Sequence, residues 1–240
     1  EISTRDWSSD VCSSDLEAIR TGLRAARTNL WPGLFLQALM VGFIAAYLLH
    51  DGTRNFLERV GEVRREIGYG FTFVSYMLSG ALLPELLRIG FFQGWRPRWE
   101  NLWNFALTGP FLGCMGMMVD FFYRCQNDWF GSGNDWRTLV IKVLVDQFLY
   151  SPFLANPAST VFFTLRDGRF SRGAFDSLFT RDFLTEKVLP VQIAGWGFWI
   201  PAVACIYIMP PQLQVPFAVL AQTFWVLMLA TITGRQARTP

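Results

Sequence analysis

Six stretches of this chain stay apolar for about the length of a membrane crossing: 31–49, 69–92, 102–123, 138–165, 188–209 and 212–233. A hydrocarbon core about 30 Å thick needs on the order of 20 residues at a rise of 1.5 Å each. Strands of a membrane barrel alternate over about ten residues. These runs do not alternate, so the spans read as helices. Composition agrees: 52% of residues are AVILMFWYC with 20 glycines outside that figure, and only 17% are charged. Soluble domains carry about 25% charge and reach roughly 45–50% apolar only with Gly included. Mean hydropathy is +0.27, and disordered, collagenous and ordinary soluble chains are excluded. The expected fold is therefore an all-α integral membrane protein, a bundle of about six hydrophobic helices, with the lipid bilayer as its first partner.

Between the first two runs lies RNFLERVGEVRREIG, in which Phe56, Leu57, Val60, Val63 and Ile67 recur at helical spacing among charges. That pattern predicts an amphipathic helix lying in the membrane interface. Trp31, Trp95, Trp99, Trp103, Trp129 and Trp136 flank the spans, where indole rings favour the head-group region. If the N-terminus is cytoplasmic, twelve basic residues fall on the inner side (Arg20, Arg24, Arg27, Arg96, Arg98, Arg166, Arg169, Arg172, Arg181, Lys187, Arg235 and Arg238). Six fall outside (Arg54, Arg59, Arg64, Arg65, Arg124 and Arg137). The excess places both termini, and the loop 166–187, in the cytoplasm. Pro190 and Pro201 leave open that 188–209 is broken or re-entrant.

Residues 1–16 are unlike the rest. The segment DWSSDVCSSDL is polar, repeats SSD, and back-translates in frame to a sequence that resembles a sequencing-library adapter, so 1–16 reads as a disordered artefact and 17–240 as a single membrane domain. Taking Arg5 from 21 basic residues and Glu1, Asp6, Asp10 and Asp15 from 19 acidic ones leaves 20 and 15, a net charge of +5. Cys12 goes with the artefact. Cys114, Cys125 and Cys205 are then expected as free, buried thiols. No two cysteines have C-x-x-C spacing and the one histidine, His50, stands at a span end, so no metal, cofactor or His-based catalysis is expected. No G-x-S-x-G, H-E-x-x-H or Walker loop is present, and the expected class is not an enzyme. Nothing suggests a nucleic-acid partner.

Ionisable groups inside spans cost about 2.5–3.5 kcal/mol each and tend to be paired or to face a wet interior. Lys142 and Asp146 are four residues apart on one helix face with Gln147 adjacent, Glu85 and Arg88 are three apart, and Asp120 sits late in the third run. These six are the candidates for a pore lining or a buried polar network. Either reading, an aqueous path or a brace between helices, fits the spacing. Gly109 and Gly113, with Gly116 close behind, form a small-residue face that lets backbones approach in lipid, so packing is their expected role.

Lys142, Asp146, Gln147 and Pro152 resemble the K-x-x-x-D-Q-x-x-x-x-P signature of the Mpv-seventeen family, also called the twenty-two-kilodalton peroxisomal membrane protein family. Gly109-Pro110 followed by Asp120, the run Leu78 to Glu85, and Pro201-Ala202, Pro210 and Trp225 are similar to further elements of that family. Cys205, Gln214 and Val226 depart from it, and Pro201 to Pro210 is two residues short. The likeness covers roughly 70–233, with 31–49 an extension. It implies a small integral protein of mitochondrial inner, peroxisomal or bacterial membranes, with pore activity proposed for some members. The expected function is a weakly selective channel for small-molecule solutes, with a non-conducting scaffold as the alternative. A bacterial inner membrane is slightly preferred because the N-terminus is short, and homo-oligomers remain an open partner class.

Overall fold

The computed structural model describes residues 30–133 and 135–236. Segment 1–16, and Cys12 with it, lies outside them. The described chain is helical, with no strand among its elements: α1 Leu30–Leu49, α2 Asp51–Ile67, α3 Tyr69–Phe92, α4 Trp99–Phe130, α5 Trp136–Asp167, α6 Arg172–Ser177, α7 Phe183–Ile208 and α8 Pro211–Gln236. Among the described residues four helices, α3, α4, α5 and α7, are long and apolar enough to cross a membrane, and five candidates result if α1 and α2 count as one bent span. The six apolar runs expected from the sequence are not counted out by this, since the 212–233 run lies in α8, whose later side chains are outside the described ones. The expected segment 188–209 is not interrupted at Pro201; all but its last residue lies in one helix, Phe183–Ile208, that starts earlier.

Three segments widen from α to π geometry: Leu78–Leu82, Asp146–Ala155 and Phe183–Val188. Each holds the residue four before a proline, namely Gly80 before Pro84, Phe148 before Pro152 and Glu186 before Pro190. Proline lacks an N–H and its ring crowds the carbonyl of residue i−4. Widening the turn relieves that contact within a continuous helix.

The described chain divides into two compact units, one built mainly from Leu144–Pro201, the other from Leu34–Val143 with 202–236. In the second unit α1 and α2 meet at 101° around His50. His50 Nδ1 accepts the Thr53 N–H at 3.1 Å, capping α2, and Arg54 donates to the last carbonyls of α1, Tyr47 (3.2 Å) and Leu48 (2.6 Å). The apolar face expected on α2 divides in two. Leu57 is buried with Gly61 and Arg64, whereas Phe56, Val63 and Ile67 are exposed. A Cβ on Gly61 would stand 3.1 Å from Gln212 and 3.2 Å from Leu213, so the glycine admits close approach of α8.

The buried face of α4 runs through Gly109, Gly113, Gly116, Asp120, Tyr123 and Gln126, spaced by threes and fours. Its glycines receive α3: a Cβ at Gly109 would lie 3.0 Å from Met77, one at Gly113 2.6 Å from the Phe73 ring, and one at Gly116 would overlap Tyr76. The flanking tryptophans, Trp31, Trp95, Trp99, Trp103, Trp129 and Trp136, are all exposed. The three cysteines are free but none is fully buried, Cys114 being exposed. It follows Gly113 on α4 and so turns away from the glycine face, which corrects the expectation of buried thiols.

Candidate functional site

The stripe that packs α4 also carries charge. Asp120 is fully buried, and its carboxylate accepts from three side chains: Arg64 Nη2 (2.5 Å) and Arg124 Nε (3.0 Å) on Oδ1, and Thr72 Oγ1 (2.8 Å) on Oδ2. Arg124 follows Asp120 by one helical turn and lies over the Tyr69 ring at 4.8 Å. Arg64 comes from α2 and is itself 6% exposed; its Nη1 donates to the Pro211 carbonyl at 3.0 Å. One carboxylate thus joins α2, α3 and α4, and Arg64 adds the start of α8. Burying either ion alone would cost several kcal/mol, so each makes the other's position tenable.

Two turns further along α4 lies a second cluster. Lys142 is 2% exposed, and its Nζ donates to Asn127 Oδ1 at 2.6 Å and stands 5.6 Å from the centre of the Tyr207 ring. Its hydrogen-bond partner is an amide oxygen rather than a carboxylate. Asn127 Nδ2 donates to Gln214 Oε1 (3.1 Å), and Gln126 Nε2 donates to Tyr207 Oη (2.6 Å) and the Lys142 carbonyl (3.3 Å). Gln126 Oε1 is buried without a hydrogen-bond partner. Tyr123 packs edge-on against Tyr207 with ring centres 5.2 Å apart.

Glu85 forms a third polar point. It accepts from Asn101 Nδ2 at 2.6 Å and pairs loosely with Arg88 at 3.9 Å. Asn101 also caps α4 by accepting the Arg98 N–H (2.8 Å), so one amide fixes a helix start and a carboxylate together.

In the other unit Asp146 and Gln147 are buried, with Gln147 Nε2 donating to Asp146 Oδ1 at 2.8 Å. The Gln147 carbonyl accepts from Trp196 Nε1 at 2.9 Å. Ser151 and Gln192 bond side chain to side chain (3.1 Å), and Asn156 Nδ2 donates to the Val188 carbonyl (3.0 Å). Pro152 in the π segment leaves a cavity of about 260 Å³ beside these residues.

Of the six polar candidates, the structure brings Glu85 to Arg88 and Asp146 to Gln147, and gives Asp120 and Lys142 partners that spacing alone does not reveal. Arg64, Thr72, Asn101, Gln126, Asn127, Tyr207 and Gln214 complete the clusters. Apart from Arg64, for which the sequence gave no signal, the only sequence signal for these was an amide or hydroxyl at a position that helical spacing turns inward. Among the described residues no three His, Cys, Asp or Glu gather as a metal site would require.

Long apolar helices with charge buried between them define an all-α integral membrane protein. The model of the Mpv17 / PMP22 family matches residues 180–230, which supports membership of this chain in that family. The match covers the Pro201, Pro210 and Trp225 block rather than the Lys142–Pro152 element. No curated protein and no solved structure matches the chain.

Proposed function

We propose that the protein is a weakly selective pore for small solutes. The observation that supports this reading is Lys142, an ionisable side chain inside a candidate span, almost fully buried and hydrogen-bonded to a neutral amide. Ionisable residues at membrane depth are costly and concentrate on solute and proton pathways. In this reading Lys142 and its amides line the path, the conformation seen is the closed one, and the chain carries out no catalysis.

The alternative is a non-conducting scaffold, and a separate observation favours it: both Asp120 oxygens are already engaged by α2, α3 and α4, as a brace requires. Full-length protein reconstituted in liposomes loaded with a small fluorescent solute separates the two. Release that scales with protein and is altered by Lys142→Gln supports the pore. Liposomes that stay sealed at every protein density overturn it in favour of the scaffold.

A further inference from the structure

Along the inward face of α4 the buried charge does not cancel. Asp120 is one carboxylate shared between two guanidinium groups, Arg64 and Arg124, which leaves a positive charge over. Further along stands Lys142, whose Nζ makes one hydrogen bond, to the Asn127 amide oxygen, and the ion pairs among the described residues include none to it. The other side chains of its cluster, Gln126, Tyr207 and Gln214, are neutral.

The acids that could offset this charge have other partners. Glu85 is held by Asn101 and Arg88, and Asp146, one turn after Lys142 in sequence, accepts Gln147 Nε2 on its Oδ1. Asp128, next to Asn127, is exposed. Two buried polar atoms of the α4 clusters lack partners, the donor Arg64 Nε and the acceptor Gln126 Oε1. Buried polar atoms are as a rule bonded to protein or to ordered water, and a wetted path supplies what both of these want.

We propose that the path for small solutes favours anions over cations, with Lys142 as the selecting charge. This rests on the pore reading above and adds the class of solute to it. A buried ammonium without a carboxylate beside it attracts a chloride or a small carboxylate and repels a cation at the same point, and Lys and Arg are the side chains that line anion pores. An ammonium has three N–H donors, and only one is taken up by Asn127.

The test places full-length protein in planar bilayers of phosphatidylcholine between potassium chloride solutions of unequal concentration, and reads the reversal potential. The unaltered protein should pass chloride over potassium by about five-fold or more, the order set by one unit charge in a wet path. Asn127→Asp sets a carboxylate against the ammonium and keeps the lysine, so it should fold and bring the ratio near one. Lys142→Gln should do the same, and Lys142→Arg should keep the chloride preference. A ratio near one in the unaltered protein overturns the selectivity and leaves the pore standing, and a potassium preference overturns it in favour of the acids. A chloride preference that survives Asn127→Asp overturns Lys142 as the selecting charge. Bilayers that carry no current overturn the pore reading and this inference together.

Discussion

Arg64, on the charged helix α2, reaches the fully buried Asp120 in the middle of α4, and neither side chain is more than 7% exposed. A helix whose charge pattern reads as a surface element is thus pinned into the bundle by one of its own charges. Replacing Arg64 by Met should destabilise the protein by about 3–5 kcal/mol, because Asp120 then keeps only Thr72 and the half-exposed Arg124. Adding Asp120→Leu should restore part of that loss, since two apolar residues in place of a buried pair are often neutral. Thermal melting in detergent measures both variants. A double variant no better than the single would show that the pair is not what limits stability there.

Lys142 leads to a different expectation. Asn127→Leu removes the acceptor of the buried ammonium and the donor to Gln214 in one step. The expected cost is about 1–3 kcal/mol or slightly more, the range for orphaning a buried polar or charged group. Lys142→Met in the Asn127→Leu background should recover stability, so a double-mutant cycle should give a coupling above 0.5 kcal/mol, the lower end expected for residues in contact. Additive effects would mean that the two side chains act separately.

How much of this was legible in the sequence depended on the kind of signal. The apolar runs overlap α3, α4, α5 and α7, because a membrane crossing imposes both length and composition, but α4 runs seven residues past the expected end at 123 and α7 starts five before 188. A π segment accompanies Pro84, Pro152 and Pro190 but not Pro110, Pro201 or Pro216, which lie inside regular α-helix, so the position of a proline alone does not foretell the widening. The role of Arg64 was not legible. Helical spacing on α2 offers two adjoining stripes, Phe56-Val60-Val63-Ile67 and Leu57-Gly61-Arg64, and the more apolar one is the obvious choice. Only Asp120, 56 positions away, makes the second stripe the buried one. The partners of Lys142 were hidden for the same reason: Asn127 and Gln214 lie at distant sequence positions, and amides carry no hydropathy signature that distinguishes a buried partner from a surface residue.

The glycine face of α4 makes a graded prediction. A methyl at Gly113 meets the edge and face of the Phe73 ring, which can rotate, whereas one at Gly116 meets Cβ and Cγ of Tyr76, which are held close to the backbone. Gly116→Ala should therefore cost more than Gly113→Ala, both within the roughly 1–3 kcal/mol of overpacking. Gly42→Ala in α1, with nothing within 4 Å of the added carbon, serves as the control. Melting temperatures that fall equally for Gly42 and Gly116 would remove the packing explanation.

Acid should loosen the start of α5. Asp135 Oδ1 accepts the backbone N–H groups of Thr138 (3.1 Å) and Arg137 (3.2 Å), and the Thr138 bonds, followed by that of Arg137, hold its carboxyl below the ordinary aspartate value. A group depressed in the folded state stabilises above its unfolded pKa, about 3.9, and loses that contribution as pH falls through the folded pKa. Asp135→Ala should lower the melting temperature by a constant amount near neutrality, and the gap to the unaltered protein should close below about pH 4. A gap that persists into strong acid would show that the cap acts without its charge.

Orientation gives the last prediction. With six spans and the N-terminus inside, the twelve-to-six distribution of basic residues leads to the expectation that the 166–187 loop is cytoplasmic. Gly173 in that loop is a suitable reporter position, since a side chain added there has nothing within 4 Å, whereas Ser171 caps α6 by accepting the Ala174 N–H. Cys114 is exposed on α4 and would compete for label, so Cys114, Cys125 and Cys205 are first replaced by Ala or Ser, and melting must be retained in that background. A membrane-impermeant maleimide added outside intact cells should then leave Gly173→Cys unmodified, and the same reagent should label it once the cells are opened. Labelling from outside would reverse the orientation drawn from the basic residues.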